Sequence, residues 1–279
     1  MKGIAFGQYY PADSVMHRLD PRIKIIIGIL YIVISFLCKN PISFALLLAS
    51  ALVLILISRI PVKIVLRSIK AILFIVIFTS ILNIFWTRGT ENELLFSWKF
   101  INIYVSGLYN AAFIAIRIVA MIIGTGIFLT YTTTPIQLTD GLEQLFSPLK
   151  VIHLPVHEFA MMMTIALRFI PTIIEETEKI MAAQKARGAD FTNGSISKRT
   201  KALIPVLIPL FVSAFRRAGE LATAMTCRCY RGGTGRTRLN VLKLKLRDFA
   251  ALILVIVFGT AIVLINMKVG FDSIWWYSM

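Results

Sequence analysis

The sequence predicts an all-α integral membrane protein: about five transmembrane helices, with a pair of long cytoplasmic helices between the fourth and the fifth. Three observations carry this. Hydrophobic residues make up 57% of the chain, and a mean hydropathy of +0.79 is that of a protein solvated largely by lipid. Five apolar runs approach the roughly 20 residues that a bilayer demands. Basic residues gather on one side of those runs. Of 30 Lys and Arg, only Lys39, Arg88, Lys99 and Lys268 fall outside and Arg117 within a span, leaving the other 25 on the inner side. That asymmetry places a multi-pass chain in the cell membrane with its N-terminus in and its C-terminus out. It also accounts for the net charge of +16 without nucleic acid, since no basic groove interleaved with aromatics is present.

Residues 1–22 are polar and basic, with Pro11 and Pro21. They lack an apolar core ending in a small-residue cleavage site, so they do not read as a cleavable signal. His17, Arg18, Arg22 and Lys24 place them in the cytosol. The spans follow at 23–37, 41–57, 69–86, 103–129 and 249–267. Cys38-Lys39-Asn40 is a tight outside turn between the first two. Arg59, Lys63, Arg67 and Lys70 mark an inside connector. Residues 87–102, polar and carrying Trp98, read as an outside loop. Asn83 reads as packing glue between helices. Arg117 is a functional candidate by default, because an ionised group within a span is costly. An interhelical pair or a snorkelling side chain outweighs a substrate-binding role. Thr132-Thr133-Thr134-Pro135 is a helix start, with a Thr cap before Pro. The short amphipathic helix it opens, 136–146, lies along the inner membrane surface. His153 and His157 are four apart with Pro155 between them, which spoils a helical metal pair; both read as structural or surface residues. Trp275, Trp276 and Tyr277 read as an interfacial anchor. The expected division is a membrane domain at 1–131, an interfacial domain at 132–247 and a last transmembrane helix at 248–279.

Residues 156–232 are too apolar for a soluble loop and too charged to cross a bilayer. In the first segment Phe159, Met162, Met163, Ala166, Phe169, Ile170, Ile173 and Ile174 recur at three- and four-residue steps, one apolar helix face. Glu175, Glu176 and Glu178 read as its solvated side. The apolar runs 159–170 and 202–215 are shorter than a span, and Pro205 and Pro209 bend the second. Both helices end in an arginine between small residues: Ala186-Arg187-Gly188 and Cys227-Arg228-Cys229. One such cation is adequately explained by the helix dipole. Two copies, each unscreened by its neighbours, point to forked hydrogen bonds across protein interfaces.

These strings resemble the T component of energy-coupling factor transporters, prokaryotic importers of vitamins and metals of the ABC class. The similar stretches are TTTPIQLTDGLEQLFSPLK (132–150), PVHEFAMMMTIALRFIPTIIEE (155–176), AQKARGADF (183–191), IPLFVSAFRRAGELATAMTCRCYRGG (208–233), GRTR (235–238) and FGQYYPADSVMHRLDPRIK (6–24). The resemblance covers nearly the whole chain and is strongest to the shared T component of Gram-positive bacteria. It implies that the two segments form a crossed pair of coupling helices whose arginine ends dock into two ABC ATPase subunits. Ala186, Arg187, Gly188, Cys227, Arg228 and Cys229 take that role, although Cys-Arg-Cys departs from the usual Ala-Arg-Gly and puts the backbone there in question. It implies further that residues 1–22 are a packed lead-in. An exchangeable substrate-binding membrane subunit is expected to rest on Met161, Met162, Met163, Leu203, Pro205, Leu207, Pro209 and Phe211. The methionines supply an adaptable surface.

Catalytic signatures are missing from the sequence. It has no phosphate loop, so no cofactor is expected and ATP belongs to the partner subunits. Gly232-Gly233-Thr234-Gly235 lacks the lysine and the preceding strand, and no Ser/His/Asp set or HExxH occurs. Cys38, Cys227 and Cys229 form no disulfide framework, and a Cys-x-Cys alone is weak evidence for metal. Two alternatives stay open: a T component dedicated to one substrate such as biotin, cobalt or nickel, and a stand-alone membrane insertase or enzyme.

Overall fold

The computed structural model describes residues 9–86, 94–98, 101–148, 155–191, 195–232, 242 and 244–268. Expectations for residues 1–8, His153, most of the glycine-rich 232–235 stretch and Trp275–Tyr277 fall outside them. The chain divides into two compact units, Met1–Gly141 with Val241–Met279, and Leu142–Asn240.

The first unit opens with a packed lead-in, as the resemblance implied. The Tyr10 N–H donates to the Tyr131 carbonyl at 3.0 Å. His17 bridges Ser14, at 2.7 Å, and the Tyr10 carbonyl, at 2.9 Å. Helix α1 (Pro21–Leu37) starts where Asp20 caps the Arg22 N–H and Pro21 presets the first turn. Lys24 was read as a cytosolic marker, yet it is 1% exposed. Its ammonium donates to the Thr132 carbonyl at 2.8 Å and the His17 carbonyl at 3.3 Å. Asp248 accepts from the Asp20 and Lys245 N–H groups. These bonds satisfy otherwise costly buried polar atoms and tie the chain's two ends to the exit of the fourth helix.

Helix α2 (Pro41–Ser58) follows the expected tight turn and ends in Arg59 with left-handed backbone. Helix α3 (Val62–Trp86) starts seven residues earlier than its apolar run suggested, taking in Lys63 and Arg67. Asn83 donates to the Thr79 carbonyl of its own helix at 3.2 Å rather than across an interface. The expected outside loop contains a short antiparallel hairpin, β1 (Leu94–Trp98) and β2 (Ile101–Tyr104). It delays the next helix, α4 (Val105–Thr125), which continues as a π-helical turn, Gly126–Tyr131. Thr132 and Thr133 hydroxyls both donate to the Phe128 carbonyl at 3.1 Å, closing that turn. Helix α8 (Leu246–Lys268) completes the unit. Its core runs through Ile23, Ile27, Tyr31, Phe44, Phe128 and Ile262.

Helix α4 approaches α1 closely because Gly124 has no side chain. A Cβ there would run into the Tyr31 ring, and Tyr31 is 2% exposed with its hydroxyl 3.2 Å from Ser50. Gly124→Ala is expected to cost about 1–3 kcal/mol through overpacking. A lowered thermal midpoint of the purified protein checks it.

Arg117 finds the interhelical pair. Its guanidinium donates to the Cys38 carbonyl at the end of α1 at 2.9 Å and lies over the Phe36 and Phe44 rings, 5.9 and 5.3 Å from their centroids. A cation on the last carbonyls of α1, sheltered by two aromatic faces, is a structural arrangement.

The second unit takes in the end of α5 (Pro135–Leu145), α6 (Val156–Ala186) and α7 (Ile196–Cys227). The predicted Thr cap of α5 is a reciprocal capping box. The Gln137 N–H donates to the Thr134 hydroxyl at 3.3 Å, and the Thr134 N–H to the Gln137 side chain at 3.2 Å. His157 lies 3.1 Å from Glu143, a structural contact.

Six described helices are long and apolar enough to cross a membrane: α2, α3, α4 with its π turn, α6, α7 and α8. At 17 residues, α1 is shorter. The two apolar runs of the coupling segments are thus parts of unbroken helices of 31 and 32 residues. Pro171, Pro205 and Pro209 are carried inside them.

Candidate functional site

The arginine-tipped ends of α6 and α7 share one backbone design. At the first, the Gly188 N–H donates to the Lys185 carbonyl at 2.9 Å and the Ala189 N–H reaches back to Gln184 at 3.0 Å. At the second, the Cys229 N–H donates to Thr226 at 2.9 Å and the Tyr230 N–H reaches back to Met225 at 3.0 Å. These crossed bonds satisfy the last carbonyls and require a left-handed residue just past the helix. Gly188 supplies it with φ +89° and Cys229 with φ +56°. The missing glycine therefore leaves the geometry intact, and a cysteine bears the conformational cost instead. At this position the two ends differ in strain, not in shape.

All six residues of the two motifs are exposed. Among the described residues neither the Arg187 nor the Arg228 side chain has a recorded partner. A Cβ at Gly188 would meet nothing within 4 Å, so within this chain glycine is needed there for φ alone. Gly188→Ala and Cys229→Gly are expected to act oppositely. The first loosens the α6 end and the second tightens the α7 end, each by about 1 kcal/mol. Hydrogen exchange at Ala189 and Tyr230 reads both.

Helices α6 and α7 run antiparallel. Gln184 reaches the Pro205 carbonyl, Glu176 meets Ser213 and Arg217, and Ile165 shares a groove with Leu221. Falling numbers on one helix pair with rising numbers on the other. Arg187 lies about three turns past Glu176 and Arg228 about four turns past Ser213, so the arginines sit at opposite ends, roughly 40 Å apart if the pair is straight.

A clasp holds the middle. The Ser213 hydroxyl donates to Glu176 at 2.5 Å, and Arg217 donates to the other Glu176 oxygen at 2.8 Å and, through Nε, to Ser213 at 3.4 Å. Glu176, a solvated acid by sequence, turns toward α7 instead. The signal was in the spacing, because Phe169, Ile173 and Glu176 continue the apolar stripe at steps of four and three. Nearer the Arg187 end, Pro209 lacks the N–H that would pair with the Pro205 carbonyl. The Gln184 amide, at a long 3.5 Å, takes its place.

The clasp residues Glu176 and Arg217 also line a groove of about 350 Å3, whose other walls include Phe169, Ile173, Leu207, Phe211 and Leu221. Of the eight residues expected to carry a substrate-binding subunit, Leu207 and Phe211 line it. Leu203, Pro205 and Pro209 are exposed on the same end of α7. Met162 and Met163 are exposed and Met161 is half-buried, but all three lie beyond Ile165, toward the Arg228 end. Consecutive helical residues also diverge by about 100°. The structure thus distributes the eight along the pair rather than gathering them. Among the described residues no cluster of three or more His, Cys, Asp or Glu is arranged to hold a metal ion.

The protein family CbiQ, described as cobalt transport protein, matches residues 12–239. Similar chains are named energy-coupling factor transporter transmembrane protein EcfT. That of Clostridium kluyveri is 49% identical over 276 residues, 99% of both chains. That of Ruminiclostridium cellulolyticum is 50% identical, over 95% of this chain and 98% of its own. That of Bacillus subtilis is 47% identical, over 92% and 96%.

Proposed function

The chain belongs to the CbiQ family and, within it, to the transmembrane proteins of energy-coupling factor transporters, and from that premise we propose that it transmits the motion of two ABC ATPase subunits to a substrate-binding membrane subunit. It is a non-catalytic, multi-pass subunit. ATP is bound by its partners, and the chain needs no cofactor of its own.

One observation supports this above the rest: two exposed arginines without a partner among the described residues, in matching backbone turns, at opposite ends of one clasped helix pair. A guanidinium so placed suits a groove edged with carboxylates or carbonyls. Two grooves on two ATPases would take one end each. When those ATPases close and reopen on ATP, the separation of their grooves changes and α6 and α7 pivot about the Glu176 clasp. The apolar flank of α7 around Leu203, Leu207 and Phe211 carries that pivot to the substrate-binding subunit, which turns and releases its cargo inward. A face of this kind, made of side chains without polar anchoring, accepts several subunits in exchange, and vitamins or other micronutrients are the fitting cargo.

Length and composition alone would let α6 and α7 cross a bilayer. If they stood upright, an antiparallel pair would put Arg187 and Arg228 on opposite sides of the membrane. Lying along its inner surface, both ends face the cytosol, where the ATPases are. The Glu176–Arg217 pair is also better tolerated there than at bilayer depth. The N-terminus is in and the C-terminus out. Cys227 and Cys229, beside one tip, and Ala186→Cys, beside the other, are expected to react with a membrane-impermeant maleimide only in inside-out vesicles stripped of the ATPase subunits. Labelling of either tip in right-side-out cells would overturn the arrangement. Purification of the tagged chain is expected to bring two ATP-hydrolysing subunits with it, and recovery of the chain by itself would sink the proposal.

A further inference from the structure

Between α1, α2 and α8 the first unit holds a cavity of about 400 Å3 whose walls include Tyr31, Val53, Leu54, Ala250, Leu254 and Phe258. A second cavity, of about 490 Å3, shares Val15, Ile57 and Arg247 with it. The character changes from one to the other. The first is nearly all hydrocarbon; the second is edged by Arg18, Arg59 and Arg247 against a single acid, Asp13.

That acid is already engaged. Arg18 Nε donates to one Asp13 oxygen at 2.8 Å and its Nη2 to the other. The hydrogen bonds from Arg18 hold the Asp13 carboxyl below its ordinary range, so it stays ionised and bound to its own arginine. Arg59 and Arg247 are exposed and have no recorded hydrogen bond or ion pair among the described residues. Arg59 holds its place from the left-handed cap of α2, at φ +55°. Arg59 adds its charge to the field that lowers Asp13, but like Arg247 it keeps its donors free among the described residues, so two cations stand at the mouth of an apolar slot of ligand size. Val53, Leu254 and Val257 on the slot's helices are exposed apolar side chains, as a surface turned to lipid requires.

We propose that this composite pocket binds one anionic phospholipid, an acyl chain in the slot and the phosphate between Arg59 and Arg247. A zwitterionic lipid would fill the slot equally well but brings its own cation against the two arginines. A soluble anion would satisfy the arginines and leave the slot empty. Only an acidic lipid matches both halves, and basic pockets between helices on the inner side of a membrane recognise such headgroups. A bound lipid would brace α2 against α8 and the lead-in, because Val15, Arg59 and Arg247 come from those three segments. The inference is independent of the arginine tips, and it rests on the inward placement of Arg59 only for which leaflet supplies the lipid.

Native mass spectrometry of the purified full chain in detergent tests it, with phosphatidylglycerol, phosphatidylcholine and inorganic phosphate as probes. The wild type is expected to hold one phosphatidylglycerol in preference to phosphatidylcholine. Arg59→Gln with Arg247→Gln should lower that preference at least about tenfold, given what each cation contributes near a membrane surface, while phosphatidylcholine binding stays as it was. Ala250→Phe, which fills the slot from an exposed position, should lower binding of both lipids and leave the arginines in place. Equal phosphatidylglycerol preference in the double variant would overturn the proposal. So would displacement of the lipid by millimolar phosphate, or a cross-link from Ala250→Cys to a partner protein in the assembled transporter. Because binding is read in detergent, its failure is distinct from any failure of the orientation or of ATPase docking.

Discussion

Arg187→Glu combined with Arg228→Glu is expected to abolish recovery of the ATPase subunits with the purified chain, and with it all uptake. Each reversal replaces a forked donor with an acceptor, so under the proposed docking a carboxylate that would accept from the guanidinium meets a like charge. Removing one partner of a desolvated charge pair costs about 2–5 kcal/mol, and reversal adds repulsion to that loss. Either substitution alone should weaken co-purification at least about thirtyfold on the lower figure. The double variant should lose it entirely, since the two ends act on one assembly. Neither arginine side chain has a partner among the described residues, so the thermal midpoint of the isolated protein should stay close to the wild type. An unchanged ATPase yield from the double variant would refute the docking role. A fallen midpoint would show that the arginines serve the fold instead.

Glu176→Lys should have the next largest effect, and of a different kind. It sets an ammonium against Arg217 and removes the acceptor of the Ser213 hydroxyl. The pair is partly open to water, with 34% of the Arg217 side chain and 24% of the Glu176 side chain exposed. That lies between an exposed ion pair, worth under about 1 kcal/mol, and a hydrogen-bonded buried charge at about 1.5–3 kcal/mol. A local loss of about 2 kcal/mol follows. ATPase co-purification should survive, because both tips keep their caps, while uptake per ATP hydrolysed falls. Restoring the opposite charges with Glu176→Lys and Arg217→Glu should recover part of the coupling. If the single variant transports normally, the clasp is no pivot.

The difference between these two predictions reflects what kind of information the sequence holds. The arginine ends were legible because helix termination is local. Ala186-Arg187-Gly188 states its own left-handed stop within one turn, and the Thr134–Gln137 capping box does the same for α5. The membrane class was legible from apolar runs and one-sided basic charge, and the family from strings spread over nearly the whole chain. Glu176 was misread although it lay on the apolar stripe, because its partner Arg217 is 41 residues away. Arg117 could be weighed but not resolved, since the Cys38 carbonyl it meets is 79 residues away.

What the sequence by itself determined is therefore the membrane class, the number of helices and those ends that carry their own cap, all governed by interactions within a turn or by transfer into lipid; the start of α3 and the β1–β2 hairpin were not among them. Only the tertiary structure decided that α6 and α7 run antiparallel, so that the two arginines lie far apart rather than side by side. The Cys229 conformation, the one glycine takes at Gly188, is set locally instead, by the Cys229 and Tyr230 N–H groups that satisfy the last carbonyls of α7, although no glycine announces it in the sequence. Pairing of distant faces is chosen by packing and by the satisfaction of buried polar groups across the whole fold, and those terms outweigh the preference of any single residue for its own backbone conformation.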